Sequence, residues 1–225
     1  MTVQATIRSG WTPPGPESQM VEEALLAGFP LRSRSERWLL REPSLDVGQP
    51  DLVFVYGAAD WVGSGATALS SEHLRLLHLV HQLRWTTLDE IIELTCTSPT
   101  RVRRAVGDLV EAQVVYETRR GVRAIALPKV FGVRRIVAIE AKMGDWRGAV
   151  LQAARNTWFA SDSYVLLPRS RCTPAALHFA RRHGVGVYSF ERGRVRRLQA
   201  SKRYALPCSY GSWVFNEWLR MGAGS

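Results

Sequence analysis

Runs of apolar residues predict strands in the first and last parts of the chain and helices between them. Strands are expected where short apolar runs are bounded by turn residues, in the segments ERWLLRE (36–42), PDLVFVY (50–56), RRIVAIEAK (134–142), SYVLLP (163–168) and VGVYSF (185–190). Helical patterns separate the last three strands, and an earlier helix is predicted from Ser18, as its N-cap, through Leu26. This alternation of strand and helix indicates an α/β fold with parallel strand pairing.

The middle of the chain, residues 71–130, follows a different pattern. Three amphipathic helices are predicted in close succession, the second capped by Thr86 or Thr87 and the third opened by Ser98-Pro99. The segment VVYETRRGVRAIAL (114–127) then predicts a hairpin around an Arg-Arg-Gly turn. This order resembles a winged helix-turn-helix domain. We therefore predict that residues 71–130 form an inserted, mainly α DNA-binding domain, preceded by a Gly- and Ser-rich linker at residues 58–70.

The balance of charge narrows the class of partner. Thirty Lys and Arg residues against 20 Asp and Glu residues give a formal net charge of +10, which favours a polyanion, with DNA as the first candidate. No apolar stretch approaches the roughly 20 residues of a transmembrane helix, and the first residues lack the apolar core of a signal peptide. Three widely spaced cysteines indicate neither a disulfide framework nor a zinc site. We therefore expect a reduced, cytoplasmic protein without a membrane partner.

Two groups of basic residues are candidates for contact with nucleic acid. The third helix of the middle region has a polar face suited to the major groove, and the hairpin turn after it is suited to the phosphate backbone. The candidate residues on these two elements are Thr100, Arg101, Arg103, Arg104, Arg119, Arg120 and Arg123. A later tract puts Arg192, Arg194 and Arg196 at the rim of the α/β region, where we expect them to hold the backbone. A solvated surface is the alternative for either group.

Glu140 and Lys142 interrupt the end of an otherwise apolar strand. Because they are two residues apart, their side chains leave the same face of a sheet. Burying an unpaired charge is costly, so a salt bridge or a strand end in solvent is the plain explanation. Asp51 offers another, since it opens an earlier strand after Pro50. If the middle domain is inserted at the tip of a hairpin, Asp51 and Glu140 converge.

Pro50-Asp51 followed by Glu140-Ala141-Lys142 resembles the motif of the PD-(D/E)XK nuclease superfamily. The resemblance implies a restriction-endonuclease-like core, a mixed sheet flanked by helices, which we assign to residues 15–57 and 131–225. It also implies a Mg²⁺-dependent phosphodiesterase for which Mn²⁺ can substitute. In that family pattern Asp51, Glu140 and the carbonyl of Ala141 hold the metal, while Lys142 orients or helps to deprotonate the attacking water.

The resemblance implies further site residues on two helices. A glutamate on the first helix often joins such a site, and Glu22 and Glu23 are the candidates, with the choice between them open. A glutamine is frequent on the helix after the last motif strand, where this chain has Gln152. Some members carry a tyrosine four residues later, and here the chain departs from the pattern with Asn156.

Together these features predict a metal-dependent DNA nuclease, in particular an endonuclease, whose duplex is positioned by the inserted domain. The alternative is a non-cleaving, sequence-specific DNA-binding or regulatory protein that keeps a nuclease-like scaffold. Asp51, Glu140 and Lys142 favour activity, because a scaffold has no physical need for that polar cluster. RNA as the substrate remains open. The aromatic segment SWVFNEWL (212–219) is expected to cap the core or to form the seam of a homodimer.

Overall fold

The computed structural model describes residues 3–8, 15–31, 35–46, 48–61 and 67–222, with the backbone alone described for 3–8. Its strands in chain order are β1 (Val3–Arg8), β2 (Glu36–Arg41), β3 (Leu52–Gly57), β4 (Trp85–Thr86), β5 (Val115–Thr118), β6 (Gly121–Ala124), β7 (Val133–Ala141), β8 (Asp162–Pro168), β9 (Gly186–Glu191) and β10 (Arg194–Gln199). Its α-helices are α1 (Pro16–Ala27), α2 (Ser71–Leu83), α3 (Leu88–Thr95), α4 (Pro99–Glu111), α5 (Trp146–Asn156), α6 (Pro174–Arg182) and α7 (Tyr210–Arg220).

These elements form two compact units. Unit 1 comprises Met1–Ala59 and Val133–Cys208, with Gly224–Ser225, and unit 2 comprises Asp60–Gly132 and Ser209–Ala223. Residues 62–66, which belong to the predicted linker, lie outside the described residues. No helix in the described ranges is long and apolar enough to cross a membrane.

Unit 1 is a mixed α/β structure built on a seven-stranded sheet in the order β1-β2-β3-β7-β8-β9-β10. The strands β7, β8 and β9 pair in parallel, as their alternation with helices predicted, and β2, β3 and β7 pair antiparallel. β1, which the sequence patterns did not indicate, lies parallel to β2 at one edge. The other edge is β10, antiparallel to β9.

Helices cover both faces of this sheet because alternate strand residues are apolar on each side. One face packs against α1 through Met20 and Ala24, in a core that includes the strand residues Phe54 and Ile139. The other face packs against α5 and α6 in a second core. α1 begins earlier than predicted, because Pro16 occupies its first turn and Gly15, rather than Ser18, is its N-cap.

Unit 2 begins at the end of a strand pair of unit 1. β3 and β7 are antiparallel neighbours, with Gly57 paired to Val133, and the chain between these two residues contains the first part of unit 2. The ends of an antiparallel strand pair are already close together, so a long insertion there leaves the pairing intact. Leu52 pairs with Ile139 farther along the same two strands.

The first part of unit 2 consists of three helices and a small sheet in the order β4-β6-β5. α3 begins at a reciprocal cap: Thr87 Oγ1 accepts from the Glu90 amide at 3.1 Å, and Glu90 Oε2 accepts from the Thr87 amide at 2.8 Å. The hairpin β5–β6 lies where the sequence predicted it. β4, only two residues long, was not predicted.

Helix α7 packs within unit 2, whereas our sequence-based domain boundary assigned residues 131–225 to the nuclease-like core. The Trp213 ring is buried, with its centroid 4.8 Å from that of His81 and 5.0 Å from that of Phe131. Asn216 accepts from the Gly132 amide at 2.8 Å and donates to the Val130 carbonyl at 3.1 Å. The aromatic pattern of this segment indicated that it is buried but not which residues it packs against.

Candidate functional site

Asp51 and Glu140 lie at the same level of two paired strands. The β3–β7 register, in which Leu52 faces Ile139, puts Asp51 opposite Glu140 when it is continued by one residue. Asp51 Oδ2 accepts a hydrogen bond from the Ala141 amide at 2.6 Å, which fixes the carboxylate against the backbone of β7. The two carboxylates are therefore held together by strand pairing rather than by a flexible loop.

Glu140 is a buried carboxyl group, 7% exposed, with one side-chain donor. Asn156, at the last position of α5, donates its side-chain amide to Glu140 Oε1 at 2.6 Å and is itself buried. Burial, reinforced by the negative charge of Asp51, raises the pKa of Glu140 to about 8. Burial also raises the pKa of Asp51, and the Ala141 amide and Lys142 offset part of that effect.

Lys142 is held by a carboxylate from the start of α1. Its Nζ lies 2.8 Å from Glu17 Oε2, and Glu17 Oε1 accepts from the Met143 amide at 3.3 Å. The hydrogen bond that Lys142 donates to Glu17 raises the pKa of Lys142, which keeps the ammonium charged. Asp51, Glu140, Lys142 and Glu17 therefore form one polar cluster, which we call the carboxylate–lysine cluster.

The structure does not bring the predicted helix residues into this cluster. Glu22 is exposed and forms an ion pair with Arg41 of β2, and Glu23 is exposed and accepts from Gln19 at 2.9 Å. Gln152 on α5 is also exposed. The glutamate of α1 that reaches the site is Glu17, which our predicted helix start at Ser18 had placed outside the helix. The Gly15-Pro16 pair is the signal that would have included it.

Asn156 was considered at the sequence level only as a departure from the tyrosine of some superfamily members. It lies one helical turn after Gln152, at the end of α5. Because α5 packs its small and apolar residues Ala149 and Ala153 against the sheet, Asn156 continues the buried face of the helix. That helical spacing is the signal that points Asn156, rather than Gln152, toward β7.

The donor set of the carboxylate–lysine cluster fits a hard divalent cation. Asp51 and Glu140 supply carboxylate oxygens and Ala141 a backbone carbonyl, and Mg²⁺ is commonly held by one or two carboxylates together with waters and substrate oxygens. Burial and the neighbouring Asp51 carboxylate raise the pKa of Glu140, and a cation bound between the two carboxyl groups would favour their ionised forms. Among the described residues no group of three or more His, Cys, Asp or Glu side chains forms a metal site. Oxygen donors of this kind are those that Mg²⁺ and Mn²⁺ accept, with waters completing the shell.

The predicted nucleic-acid contacts of unit 2 are exposed, and one is already engaged. On α4, Thr100, Arg103 and Arg104 are exposed on the side opposite the buried stripe. Arg101 instead pairs with Glu72 of α2, at 2.6 Å from Nε to Oε1, which leaves its guanidinium less available. The hairpin residues Arg119, Arg120 and Arg123 are also exposed, the first two in the β5–β6 turn and the third on β6.

The basic tract of unit 1 lies on the hairpin β9–β10 at the sheet edge. Arg192 and Gly193 form its turn, both with positive φ, and Arg194 and Arg196 share one exposed face of β10. Val195 between them packs toward the α1 side of the sheet, so the two arginines leave the other side. Charged edge residues also deter strand pairing with other chains, so this group has a structural role without a ligand.

His78 and His81 lie three residues apart on α2 and are partly buried in unit 2. The ring atoms His78 Nδ1 and His81 Nε2 are buried and, among the described residues, have no hydrogen-bond partner. Burial lowers the pKa of both histidines, that of His81 to about 4. Both rings are therefore neutral at physiological pH.

Comparison of the chain with protein-family models, with curated proteins and with solved structures gave no match.

Proposed function

We propose that the chain is a metal-dependent DNA nuclease that hydrolyses phosphodiester bonds at the carboxylate–lysine cluster. The observation that carries the proposal is the hydrogen bond of 2.6 Å from the Ala141 amide to Asp51. It joins the residue before β3 to β7, which ends in Glu140-Ala141 and is followed by Lys142. Two carboxylates and a lysine collected at one point from distant parts of the chain have a clear use in phosphate chemistry and none in packing.

Asp51, Glu140 and the Ala141 carbonyl would hold the cation. A divalent ion bound there would polarise a phosphate oxygen and lower the pKa of a bound water. Lys142 would then offset the charge that develops on the phosphate during hydrolysis. Glu17 keeps the Lys142 ammonium charged and fixes its position. Asn156 fixes the orientation of the Glu140 carboxyl group through the hydrogen bond that it donates to Oε1.

The arrangement of unit 1 supports membership of the PD-(D/E)XK superfamily. Asp51 stands at the start of one strand of an antiparallel pair and Glu140-Ala141-Lys142 at the end of the other. A helix, α1, precedes the pair, and a helix and a parallel strand, α5 and β8, follow it. This is the order that the sequence resemblance implies for a restriction-endonuclease-like core.

For unit 2 we propose a winged helix-turn-helix that binds duplex DNA. Its support is the element order α2, β4, α3, α4, β5, β6, with the three strands forming one small sheet. Arg103 and Arg104 are exposed on α4, which would be the recognition helix, and Arg119 and Arg120 lie in the wing. The net charge of +10 is consistent with a polyanionic partner in the cytoplasm.

A second function is a non-cleaving DNA-binding protein built on a nuclease-like scaffold. The observation that favours it is the ion pair between Lys142 and Glu17, since an ammonium satisfied within the protein needs no phosphate. On this hypothesis the cluster is a structural polar network, and a cation would stabilise the fold without cutting DNA.

One assay separates the two functions. Purified protein is incubated with supercoiled, linear and single-stranded DNA and with RNA, in Mg²⁺, in Mn²⁺ or in EDTA. The nuclease proposal expects nicked or linear products from DNA with either metal and none in EDTA. Stable DNA binding without cleavage in any metal would support the scaffold function instead, and cleavage of RNA alone would change the substrate class.

A further inference from the structure

The small sheet of unit 2 carries a row of three side chains that the DNA-binding proposal does not use as a group. Arg123 on β6 pairs in register with Trp85 on β4 and with Tyr116 on β5. Residues directly opposite each other in antiparallel strands point to the same face. Because β6 is the central strand, the backbone of Arg123 lies between those of Trp85 and Tyr116, which are about 10 Å apart across two strand spacings.

This row, which we call the Trp85–Arg123–Tyr116 row, lies on an exposed face of the sheet. Trp85 is 44% exposed, Tyr116 is 39% exposed, and Arg123 is exposed as well. The opposite face holds the buried Thr86 and Val122. The row is therefore on the outer side of the sheet of unit 2, while the inner side packs against its helices.

None of the three side chains has a hydrogen bond, ion pair or ring contact with another described residue. Single exposed aromatic residues are common on protein surfaces and need no explanation. Two exposed rings on the strands that flank an arginine are a different arrangement, since one face of the sheet then presents aromatic surface and a positive charge together. An aromatic ring beside a guanidinium offers stacking and charge to one ligand at once.

The charge around the row indicates the kind of ligand. Arg119 and Arg120 lie in the turn that joins β5 to β6, close along the chain to Arg123. The carboxylate of this hairpin, Glu117, pairs with Val122 and therefore belongs to the opposite face of the sheet. Aromatic rings beside positive charge are complementary to a chain that alternates π-faces with anions, as unpaired nucleobases on a phosphodiester backbone do. In a duplex those π-faces are covered by neighbouring base pairs.

We propose that the Trp85–Arg123–Tyr116 row binds an unpaired stretch of nucleic acid, with bases stacked on Trp85 and Tyr116 and a phosphate at Arg123. This goes beyond the proposed function, because it assigns unit 2 a single-strand surface distinct from the duplex-binding face of α4. It requires neither metal nor cleavage. A protein with both surfaces would recognise a junction between paired and unpaired strands, such as an overhang, a flap or a bubble.

The test measures binding in EDTA, so that the result is independent of nuclease activity. Fluorescence anisotropy is recorded with a 20-nucleotide oligothymidine, its RNA counterpart, an abasic oligonucleotide of equal length, and a blunt-ended duplex. The variants are Trp85→Ala, Tyr116→Ala and the double change, with Leu94→Ala as the matched control, since Leu94 is an exposed apolar residue of unit 2 on α3. Thermal unfolding of each variant checks that the fold is kept, and Trp85→Leu with Tyr116→Leu covers the case in which alanine destabilises unit 2.

We expect each single alanine variant to bind the oligothymidine about tenfold more weakly, and Leu94→Ala to bind it like the wild type. Binding of the abasic strand and of the blunt-ended duplex should change less than twofold, because neither presents unpaired bases. Trp85→Phe should retain most of the affinity that Trp85→Ala loses. Preference between the DNA and RNA oligonucleotides identifies the natural strand.

Three results overturn the proposal. The first is unchanged affinity for the oligothymidine in the double variant. The second is an equal loss for the abasic strand, which would mean that the row binds phosphates alone. The third is wild-type protein that does not bind single strands at all, in which case a protein partner is the better occupant of the row. None of these results bears on cleavage at Asp51 and Glu140, which the plasmid assay measures separately.

Discussion

The Asn156 side-chain amide donates to Glu140 Oε1 at 2.6 Å, and both groups are buried. This single contact joins the end of α5 to the end of β7. Asn156→Ala removes the donor and leaves a buried carboxyl oxygen unpaired, which should lower the free energy of unfolding by about 1–3 kcal/mol. It should also weaken Mn²⁺ binding by about 10- to 100-fold, because the orientation of a metal ligand depends on such contacts. Calorimetry and thermal unfolding measure the two effects.

Gln152→Ala is the matched control for Asn156→Ala, since Gln152 is on the same helix one turn earlier and is exposed. It should leave Mn²⁺ affinity unchanged. Asn156→Gln should recover little of the affinity, because its longer side chain does not fit the same buried site. Equal effects of the Gln152 and Asn156 changes would show that Asn156 has no specific role in holding Glu140.

Asp51→Ala, Glu140→Ala and Lys142→Ala should each abolish DNA cleavage while leaving duplex affinity within a few-fold of the wild type. The reason is that transition-state stabilisation comes from this cluster, whereas affinity comes from arginines elsewhere. Plasmid cleavage and anisotropy measure the two properties. Glu23→Ala, on the exposed face of α1, serves as the control and should cut at the wild-type rate. Wild-type cleavage by all three variants would assign the activity to other residues.

The carboxyl group of Glu140 should make the metal-free protein less stable as the pH rises. Its pKa is about 8 in the folded chain against an ordinary value of 4.5, so the folded state holds the proton more tightly than the unfolded state. The contribution of Glu140 to the free energy of unfolding is fully present below about pH 4.5 and is lost as the pH rises through about 8. In EDTA, Glu140→Gln should therefore show a flatter dependence of melting temperature on pH, and should melt above the wild type at pH 8.

Excess Mg²⁺ should reverse this trend in the wild type, because a cation binds the ionised carboxylates and stabilises the folded state by mass action. The gain in melting temperature on adding Mg²⁺ should grow between pH 6 and 8. A gain of the same size in Glu140→Gln would mean that the cation binds elsewhere.

The sequence predicted that Asp51 and Glu140 converge, because most of that expectation depends on local rules. Period-two alternation assigned Glu140 and Lys142 to one strand, and the Pro50-Asp51 pair marked the start of another. The strand register that brings Asp51 to the Ala141 amide pairs residues far apart in the sequence. Local patterns predict it only if the middle domain is taken as an insertion between the two strands. Glu17 was missed because one helix start was placed three residues late.

Long-range packing accounts for the other differences. β4 is too short to produce an alternation pattern. The position of α7 in unit 2 depends on the packing of Trp213 against His81 and Phe131. Neither residue is near Trp213 in the sequence. Apolar periodicity indicates that a face is buried, but it does not specify the residues that bury it.

Arg103→Ala combined with Arg104→Ala should weaken duplex binding by tenfold or more. Both side chains are exposed on α4, and the removal of each arginine that binds a phosphate should lower the dependence of log affinity on log salt by about one unit. Anisotropy at several salt concentrations measures this slope. Arg101→Ala should have a smaller effect, since Arg101 is paired to Glu72. Unchanged affinity in the double variant would redirect the search to Arg192, Arg194 and Arg196.

His81 should make unit 2 sensitive to acid. Its pKa of about 4 lies below the ordinary 6.5, so the stability that it contributes is complete above pH 6.5 and is lost as the pH falls toward 4. His81→Phe keeps an aromatic ring against Trp213 and removes the titration. Tryptophan fluorescence of this variant should change less between pH 6.5 and 4 than that of the wild type. His178→Gln, an exposed histidine on α6, is the control and should behave like the wild type.

The position of α7 also sets the order in which a ribosome can complete the two units. Synthesis of the residues of unit 1 is interrupted between β3 and β7, and the remaining strands of unit 1 are made directly after β7. The helices α2, α3 and α4 of unit 2 have been synthesised before β7. The last helix of unit 2, α7, is synthesised only after β10. The surface of His81 and Phe131 that packs against Trp213 therefore stays exposed to solvent while the strands of unit 1 are being synthesised. Apolar surface that stays exposed in this way promotes aggregation of the nascent insert until α7 is made.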